Sequence, residues 1–534
     1  SVLKRRATEF APGLRSSFCG VCPNAPPPAP SSLAMKCIGQ AAEDQQPVVA
    51  IFNVHAIGHV NPTLPLVVEL VRRGCKVHYF LPPVKDLRHA ASEAGAVVEA
   101  YLADDPQDFA LDKCGLEDVA DDGLPEDERQ LLHRAVWPLA GALLAGEHVI
   151  ARCRDIGARA VLYDPVTPHG LVAAHALGVP CMSLVTFPGV GSLADILQDE
   201  SGLRRAAGHR RAHAERLRLR FGVDVRGHLL TRLWYLAPES LVTTSGDLVA
   251  PLPAAGATAW ADELREHFRF EAVGCLANPS APHVAMARAP SGRGRDISDF
   301  GSALPARSLD AAKAAGRRVV YCALGTMALS HRWDQDLGAQ SGGNLPAGTT
   351  GKQFCQHIWR HLLGAAEILG EAVLCVMSVG TQPDALDFLP GGAGAVPPNV
   401  IIRSSVPQVE MLHSCADVFI SHVGFNSLQE SILEGVPMIA VPQAVDQPAN
   451  ACQVEASGWG RAFLEPMRSV SAGALADVLR ELTCESSAAP FRAALDASGA
   501  KLRGGDGRAA DLVLRMVANG QGRHAISAHV DTGR

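Results

Sequence analysis

Residues 420–447 read ISHVGFNSLQESILEGVPMIAVPQAVDQ. The apolar run Val418-Phe419-Ile420 enters a polar, glycine-containing turn, Ser421 to Ser427, and a helical pattern with Glu430 in its first turns follows at once. A strand that passes directly into a helix presents the helix's free N–H groups and the positive end of its macrodipole, which together favour an anion such as phosphate. Asn426 or Ser427 is placed to cap that helix, His422 to donate to an anion's oxygen, and Gly424 to let backbone come close to a ligand. The helix ends at Gly435, a second apolar strand follows, and Asp446-Gln447 emerge from its carboxyl end, where open α/β sheets hold ligands.

The same alternation runs outward from this stretch. Val48 to Phe52 reads as a buried strand, Asn53 to His59 as a turn, and Asn61-Pro62 as a helix start that Arg72-Arg73-Gly74 closes. Val77 to Leu81 is the next strand, which completes a β-α-β unit with parallel strands. Ala160 to Tyr163 ends at Asp164 and leads into a helix through Val172 to Leu177, then Pro180 to Val185 is strand again. Past a Pro/Gly/Ser/Ala-rich stretch, Asn278 to Arg307, strands resume with Arg318 to Leu324, Val373 to Met377 and Val400 to Ile402. An α/β protein of two facing Rossmann-like domains with a ligand cleft between them fits this pattern. The expected division is a flexible leader over 1–46, an N-terminal domain over 47–276, a linker over 277–310, a C-terminal domain over 311–517 and a polar tail over 518–534. Ser330 to Lys352 reads as a loop insertion, and the basic run from Arg204 to Arg220 as a solvated helix face. No G-x-G-x-x-G follows any strand, which disfavours a dinucleotide oxidoreductase.

Length and composition agree with two well-buried domains. The chain has 534 residues, 47% of them hydrophobic and 19% charged, so it can build large cores and is not a disordered chain. A formal net charge of -7 supplies no basic footprint for nucleic acid. No uninterrupted apolar window reaches the length of a membrane span. The fourteen cysteines are scattered, most in apolar stretches, and read as free thiols in a reducing compartment. Cys19 and Cys22 form the one close pair but lack a second pair to complete a zinc site, so no metal is expected. The leader is rich in Arg and Ser and poor in acids, with Met35 as a candidate start. The expected location is cytoplasmic, or plastid if the leader is a transit segment.

The segment His55-Ala56-Ile57-Gly58-His59-Val60-Asn61-Pro62 places a histidine just before a helix at the carboxyl end of a buried strand, a position that faces a cleft. Together with the 420–447 stretch, this segment resembles the UDP-glycosyltransferases, the GT-B enzymes of plants and bacteria that include the macrolide glycosyltransferases. The resemblance implies that His422, Gly424, Asn426 and Ser427 hold the diphosphate of a UDP-sugar, with Thr326 approaching it as well. It implies that Glu430 holds the ribose hydroxyls, that Asp446 and Gln447 hold the sugar, and that the backbone of Val406-Pro407-Gln408 reads the uracil. The family usually has Trp two residues before that Pro, stacked on the base, where this chain has Ser405. Many bacterial relatives carry a second His where this chain has Ile57.

In the resembled family the His after the glycine is the general base, which falls on His59, and its partner carboxylate falls on Asp164. The residue types suit the task. A hydroxyl is a poor nucleophile at neutral pH, an imidazole with an ordinary pKa of about 6.5 can take its proton, and a carboxylate on the other ring nitrogen fixes the tautomer. His55 is the fallback base, and His169 and His413 are expected to be structural. The resemblance therefore implies an inverting transfer of a hexose, glucose by the Gln447 end of the signature, to a hydroxyl of a small, largely apolar acceptor of secondary metabolism. A UDP-sugar is the co-substrate, with no cofactor or metal. Two other readings stay open: a GT-B sugar-nucleotide epimerase or lipid-linked sugar transferase, and a degenerate nucleotide-sugar-binding protein without turnover, motivated by Ser405 and Ile57.

Overall fold

Runs apolar on both faces become strands buried on both faces, the condition of a parallel sheet covered by helices. In the computed structural model, which describes residues 46–115, 126–189, 191, 200–225, 235–278, 305–338, 344–389 and 396–520, these runs form two such sheets. The first contains β1 (Val48–Phe52), β2 (Lys76–Phe80), β3 (Val97–Glu99), β4 (Ala160–Tyr163), β5 (Cys181–Val185), β6 (Glu239–Val242) and β7 (Arg269–Ala272), in the order β3-β2-β1-β4-β5-β6-β7. The second contains β8 (Arg318–Ala323), β9 (Val373–Ser378), β10 (Val400–Arg403), β11 (Val418–Ser421), β12 (Met438–Ala440) and β13 (Gly460–Ala462), in the order β10-β9-β8-β11-β12-β13. Each neighbouring pair runs parallel.

Both sheets grow outward from their first strand in two directions, so the winding reverses between β1 and β4 and again between β8 and β11. Loops leaving the carboxyl ends at such a reversal diverge and open a crevice. The helices that frame the two crevices are α1 (Leu64–Arg72), α2 (His169–Leu177), α3 (Gln408–Ser414), α4 (Phe425–Leu433) and α5 (Gln447–Ala456); α6 (Gly505–Asn519) ends the described chain. Among the described residues no helix is long and apolar enough to cross a membrane.

Several expectations change on contact with the structure. The helix expected from Asn61 starts earlier and is broken into a helical turn at Ile57–Val60, a 3-10 turn at Asn61–Thr63 and α1, with Pro62 and Pro65 each near the start of a piece. Proline lacks an N–H and fits best where a helix begins, so two prolines three residues apart divide the path. His59 consequently lies inside the first turn rather than ahead of the helix.

The last helix does not belong to the second sheet, although 311–517 was expected to be one domain. Ala509, Ala510, Val513 and Val517 of α6 are buried with Leu66 and Leu70 of α1 in the core of the first sheet. Their spacing is one helical stripe, and the face it seeks is the one α1 leaves open. Arg73 pairs with Asp511 and donates to the Gly507 carbonyl, and Arg508 Nε donates to the Val273 carbonyl at 2.6 Å. At the other boundary, a helix at Ala306–Ala314 begins inside the expected linker and sends Leu309 and Ala312 into the core against Val319 and Tyr321 of β8.

The expected insertion is not a free loop where it is described. Trp333, Leu337 and Leu345 are buried with the helix at Gly351–Leu369, and the Trp333 indole donates to Asp384 at 2.8 Å. Within the basic run Arg210 is buried, whereas Arg211, Arg216 and Arg220 face solvent as expected. Residues 1–45, most of the linker (279–304), 339–343 of the insertion and 521–534 of the tail lie outside the described residues. No described cysteine takes part in a disulfide.

Candidate active site

At the first reversal, β1 and β4 lie side by side in register, Phe52 opposite Tyr163, so the residues that follow them converge although they are far apart in sequence. Asp164 directly follows β4 and is 1% exposed, while His59 keeps 30% of its side chain exposed. Their contact, His59 Nδ1 to Asp164 Oδ2, is 2.6 Å. The other oxygen of Asp164 accepts from the Val166 N–H at 3.0 Å, which aims the carboxylate. Burial pushes the His59 pKa down, but the charge of Asp164 and its hydrogen bond outweigh that and leave it raised above 6.5. With Nδ1 engaged by Asp164, Nε2 is the other ring nitrogen, the arrangement by which a carboxylate holds an imidazole in the tautomer of a base.

A closed polar network holds this loop from below. Asn53 Nδ2 donates to the His59 carbonyl at 3.1 Å and to the Tyr79 hydroxyl at 2.9 Å. The Tyr79 and Thr63 hydroxyls meet at 2.6 Å, and Thr63 Oγ1 donates to the Val60 carbonyl at 2.7 Å. Tyr101 adds a bond to the Asn53 carbonyl at 2.9 Å. Buried groups left unpaired cost about 1–3 kcal/mol each, so loss of one member strands the others. Sequence reading passed over Asn53, Thr63 and Tyr79; a polar Asn at the very end of a buried strand was the available signal.

The other histidines weighed from the sequence have different surroundings. His55 pairs with Asp112 at 3.4 Å. His169 is fully buried, edge-on to Tyr101 at 4.8 Å, and burial pushes its pKa down to about 3, so it stays neutral. His413, in the last turn of α3, pairs with Glu434 at 2.8 Å.

At the second reversal the geometry is built around space rather than charge. His422 follows β11 and Gly325 follows β8, which are neighbours in register. A Cβ on Gly325 would stand 2.4 Å from His422 Nε2, and one on Gly424 2.6 Å, so the imidazole lies between two positions that admit only glycine. Burial pushes its pKa down to about 4; at neutral pH it is an uncharged hydrogen-bonding ring. Val423, between His422 and Gly424, has φ +53. A β-branched residue in that region costs on the order of 1–3 kcal/mol and persists only where neighbours hold it. Here the Ser421 hydroxyl accepts from its N–H at 3.0 Å and Asn450 Nδ2 donates to its carbonyl at 3.0 Å.

Helix α4 begins with Gly424 as its N-cap, and no side chain caps it. Asn426 and Ser427, expected as caps, stand inside the first turn and are engaged elsewhere. Asn426 Nδ2 donates across the cleft to the Gly58 carbonyl at 2.8 Å, one residue from His59. Gln408, the first residue of α3, donates from Nε2 to Ser427 Oγ at 3.0 Å and to Glu430 Oε2 at 2.6 Å. Burial raises the Glu430 pKa to about 7 despite the opposing bond from Gln408, with the charge of Glu434 adding to the rise. A pocket of about 460 Å³, counting space open to solvent, lies between Asn61, Pro62 and Thr243 on one side and Asn426, Gln429 and Glu430 on the other. Thr326 precedes a π-helical turn at Met327–His331, and Ser405 is buried just beyond the end of β10.

Asp446 and Gln447 stand at the start of α5. The Gln447 Oε1 accepts from the Gln443 and Ala444 N–H groups at 2.9 and 3.4 Å, which leaves its NH2 as a donor. Burial raises the pKa of Asp446, whose Oδ2 accepts from Asn450 at 2.8 Å. Gln443 Nε2 donates to the Leu324 carbonyl at 2.6 Å, tying this loop to the end of β8. Gly325, Gln443 and Asn450 were not among the residues expected from sequence; the glycine directly after a buried strand was legible, the two amides were not. Among the described residues no group of three or more His, Cys, Asp or Glu side chains could hold a metal ion.

The family model described as UDP-glucoronosyl and UDP-glucosyl transferase matches residues 379–487, the part that carries α3, α4 and α5. Oleandomycin glycosyltransferase of Streptomyces antibioticus is 27% identical over 473 residues, 87% of this chain and 90% of that protein. NDP-glycosyltransferase YjiC of Bacillus subtilis is 36% identical over 110 residues, 21% of this chain and 26% of that protein. Among solved structures, the glycotransferase of kitacinnamycin superposes with a TM-score of 0.58 at 22% identity, over 88% of this chain and 99% of its own. Os79 from O. sativa in complex with U2F and trichothecene gives 0.57 at 18% identity, over 88% of this chain and 100% of its own. At those identities the superpositions speak to the fold, which is GT-B.

Proposed function

We propose, from the premise that this chain belongs to the UDP-glycosyltransferases, that it moves a hexose, glucose in our reading, from a UDP-sugar to a hydroxyl of a small, largely apolar acceptor by inverting single displacement. The observation that carries the reading is the 2.6 Å contact of His59 with Asp164, at a reversal point joined to the start of α4 through Asn426 and Gly58.

In this reading His59 Nε2 accepts the acceptor's proton as its oxygen attacks the anomeric carbon, and Asp164 stabilises the imidazolium that forms. The bond from the anomeric carbon to the phosphate oxygen breaks and its electron pair leaves with UDP. The charge gathering on the leaving phosphate is met by the neutral His422 ring, Ser427, Thr326 and the N–H groups at the start of α4. Glu430 accepts from the ribose hydroxyls once Gln408 yields, and Asp446 and Gln447 serve the sugar as acceptor and donor.

The test is incubation with UDP-glucose and a mixed panel of hydroxylated small molecules, read by mass spectrometry, with the anomeric configuration of any product determined by NMR. A hexose adduct of inverted configuration is expected. Sugar released or rearranged without any acceptor, or UDP bound tightly with no product, would move the assignment to the epimerase or the non-catalytic reading.

A further inference from the structure

Donor recognition in the rear half depends on two loops that leave different strands. The phosphate turn follows β11 and the Asp446-Gln447 pair follows β12, so something must keep their spacing constant. One side chain touches both. Asn450, on the first turns of α5 and 4% exposed, donates from Nδ2 to Asp446 Oδ2 at 2.8 Å and to the Val423 carbonyl at 3.0 Å. An amide nitrogen has two hydrogens, and two acceptors take them.

Resting on the reading of Asp446 as the sugar-facing carboxylate, we propose that Asn450 is a positioning residue for the donor sugar, holding Asp446 and the phosphate turn in one frame. The amide commits one oxygen of Asp446, so a sugar hydroxyl meets the other. It also engages the carbonyl of Val423, the residue with φ +53, and a carbonyl bound to a buried amide does not turn toward an anion. Ser421 grips the N–H side of the same residue. Strained backbone of this kind persists where surrounding bonds over-determine it. No other residue type of similar size offers two donors at this point: Asp offers none while ionised, and Leu would leave both acceptors buried without a partner.

The experiment compares Asn450→Asp with wild type in the full chain, measuring affinity for UDP and for UDP-glucose by calorimetry without acceptor from pH 5 to 8. The ratio of the two affinities isolates the sugar, because His422 and Glu430 face the nucleotide part that both ligands share. At pH 8 the variant carboxylate repels Asp446 and the ratio falls at least tenfold. As pH falls, a protonated acid at 450 donates to Asp446 again and the ratio recovers. Asn450→Ala, which adds no charge, is the second variant should Asp prevent folding; its ratio falls at least threefold and does not recover. A ratio unchanged within twofold in whichever variants fold overturns the proposal, as does a loss in Asn450→Asp that acid leaves untouched, since a merely structural residue would lower the melting temperature and spare the ratio. Wild-type protein that binds neither ligand overturns the donor-site reading itself, and this proposal with it.

Discussion

The two sheets share one strand order, with one strand more in the first, and each has a histidine near its reversal point, yet the two crevices are built from opposite materials. At the first, His59 is coupled to the buried carboxylate of Asp164, and the coupling overrides burial to raise its pKa. At the second, His422 has no carboxylate among its partners; burial alone dominates and lowers its pKa to about 4. The same side chain thus serves two chemistries. Moving a proton near neutral pH requires an imidazole whose charged form is affordable, whereas holding an anion requires room, donors and a helix terminus. The glycines follow the same division: Gly325 and Gly424 bracket His422, and among the described residues no such bracket surrounds His59.

The largest effect should come from Asn or Ala at the proton-moving crevice. His59→Ala is expected to lower kcat by roughly 10²–10⁴-fold, the range of general base catalysis, with UDP affinity unchanged within about twofold; turnover near wild type would erase the distinction between the crevices. Asp164→Asn sharpens it through pH. The base works as the neutral ring, so a raised pKa places the acid limb of the kcat/KM profile above 6.5. Without the carboxylate only burial remains, and the limb should move below 6.5. In stability the sign reverses: the His59⁺–Asp164 pair stabilises the fold fully below pH 6.5, and that contribution fades as pH rises through the folded pKa.

Next in size, Gly325→Ala tests the crevice made of space. Its Cβ would meet the His422 ring at 2.4 Å from a backbone at φ +76, and UDP affinity should fall about tenfold or more, as expected for a cost near 1.4 kcal/mol or above, while the acid limb set by His59 stays in place. A shifted limb would mean the two crevices are not independent. Glu430→Gln is a smaller change: with the carboxyl at about 7, wild-type UDP affinity should weaken as pH falls through 7, and the variant should be flat across that range. Asn426→Ala, which removes the hydrogen bond running from α4 to the His59 loop, should cost about 1 kcal/mol, visible as a drop in melting temperature of a few degrees at most.

Much of this was open to local reading. The start of α4 was legible because a strand, a glycine turn and an amphipathic helix lie within consecutive residues, and their N–H groups need nothing distant to form an anion site. Even there the caps were misplaced: Asn426 and Ser427 are drawn into the helix because Gly58 and Gln408 offer them better partners from other elements. The α/β class followed from apolar runs alternating with helical patterns, a property of short windows.

What waited for the folded molecule is whatever depends on which strands become neighbours. His59 and Asp164 are 105 residues apart and meet because β4 docks on β1 instead of extending the other edge. Residues 505–519 cross back to the first sheet, where Ala509, Ala510, Val513 and Val517 are buried with Leu66 and Leu70 of α1. Asn450 joins two loops that sequence alone keeps separate. Residue chemistry and helix termini are written locally along a chain, whereas sheet order and the return of a distant helix are settled by burying surface, which no single segment can do alone.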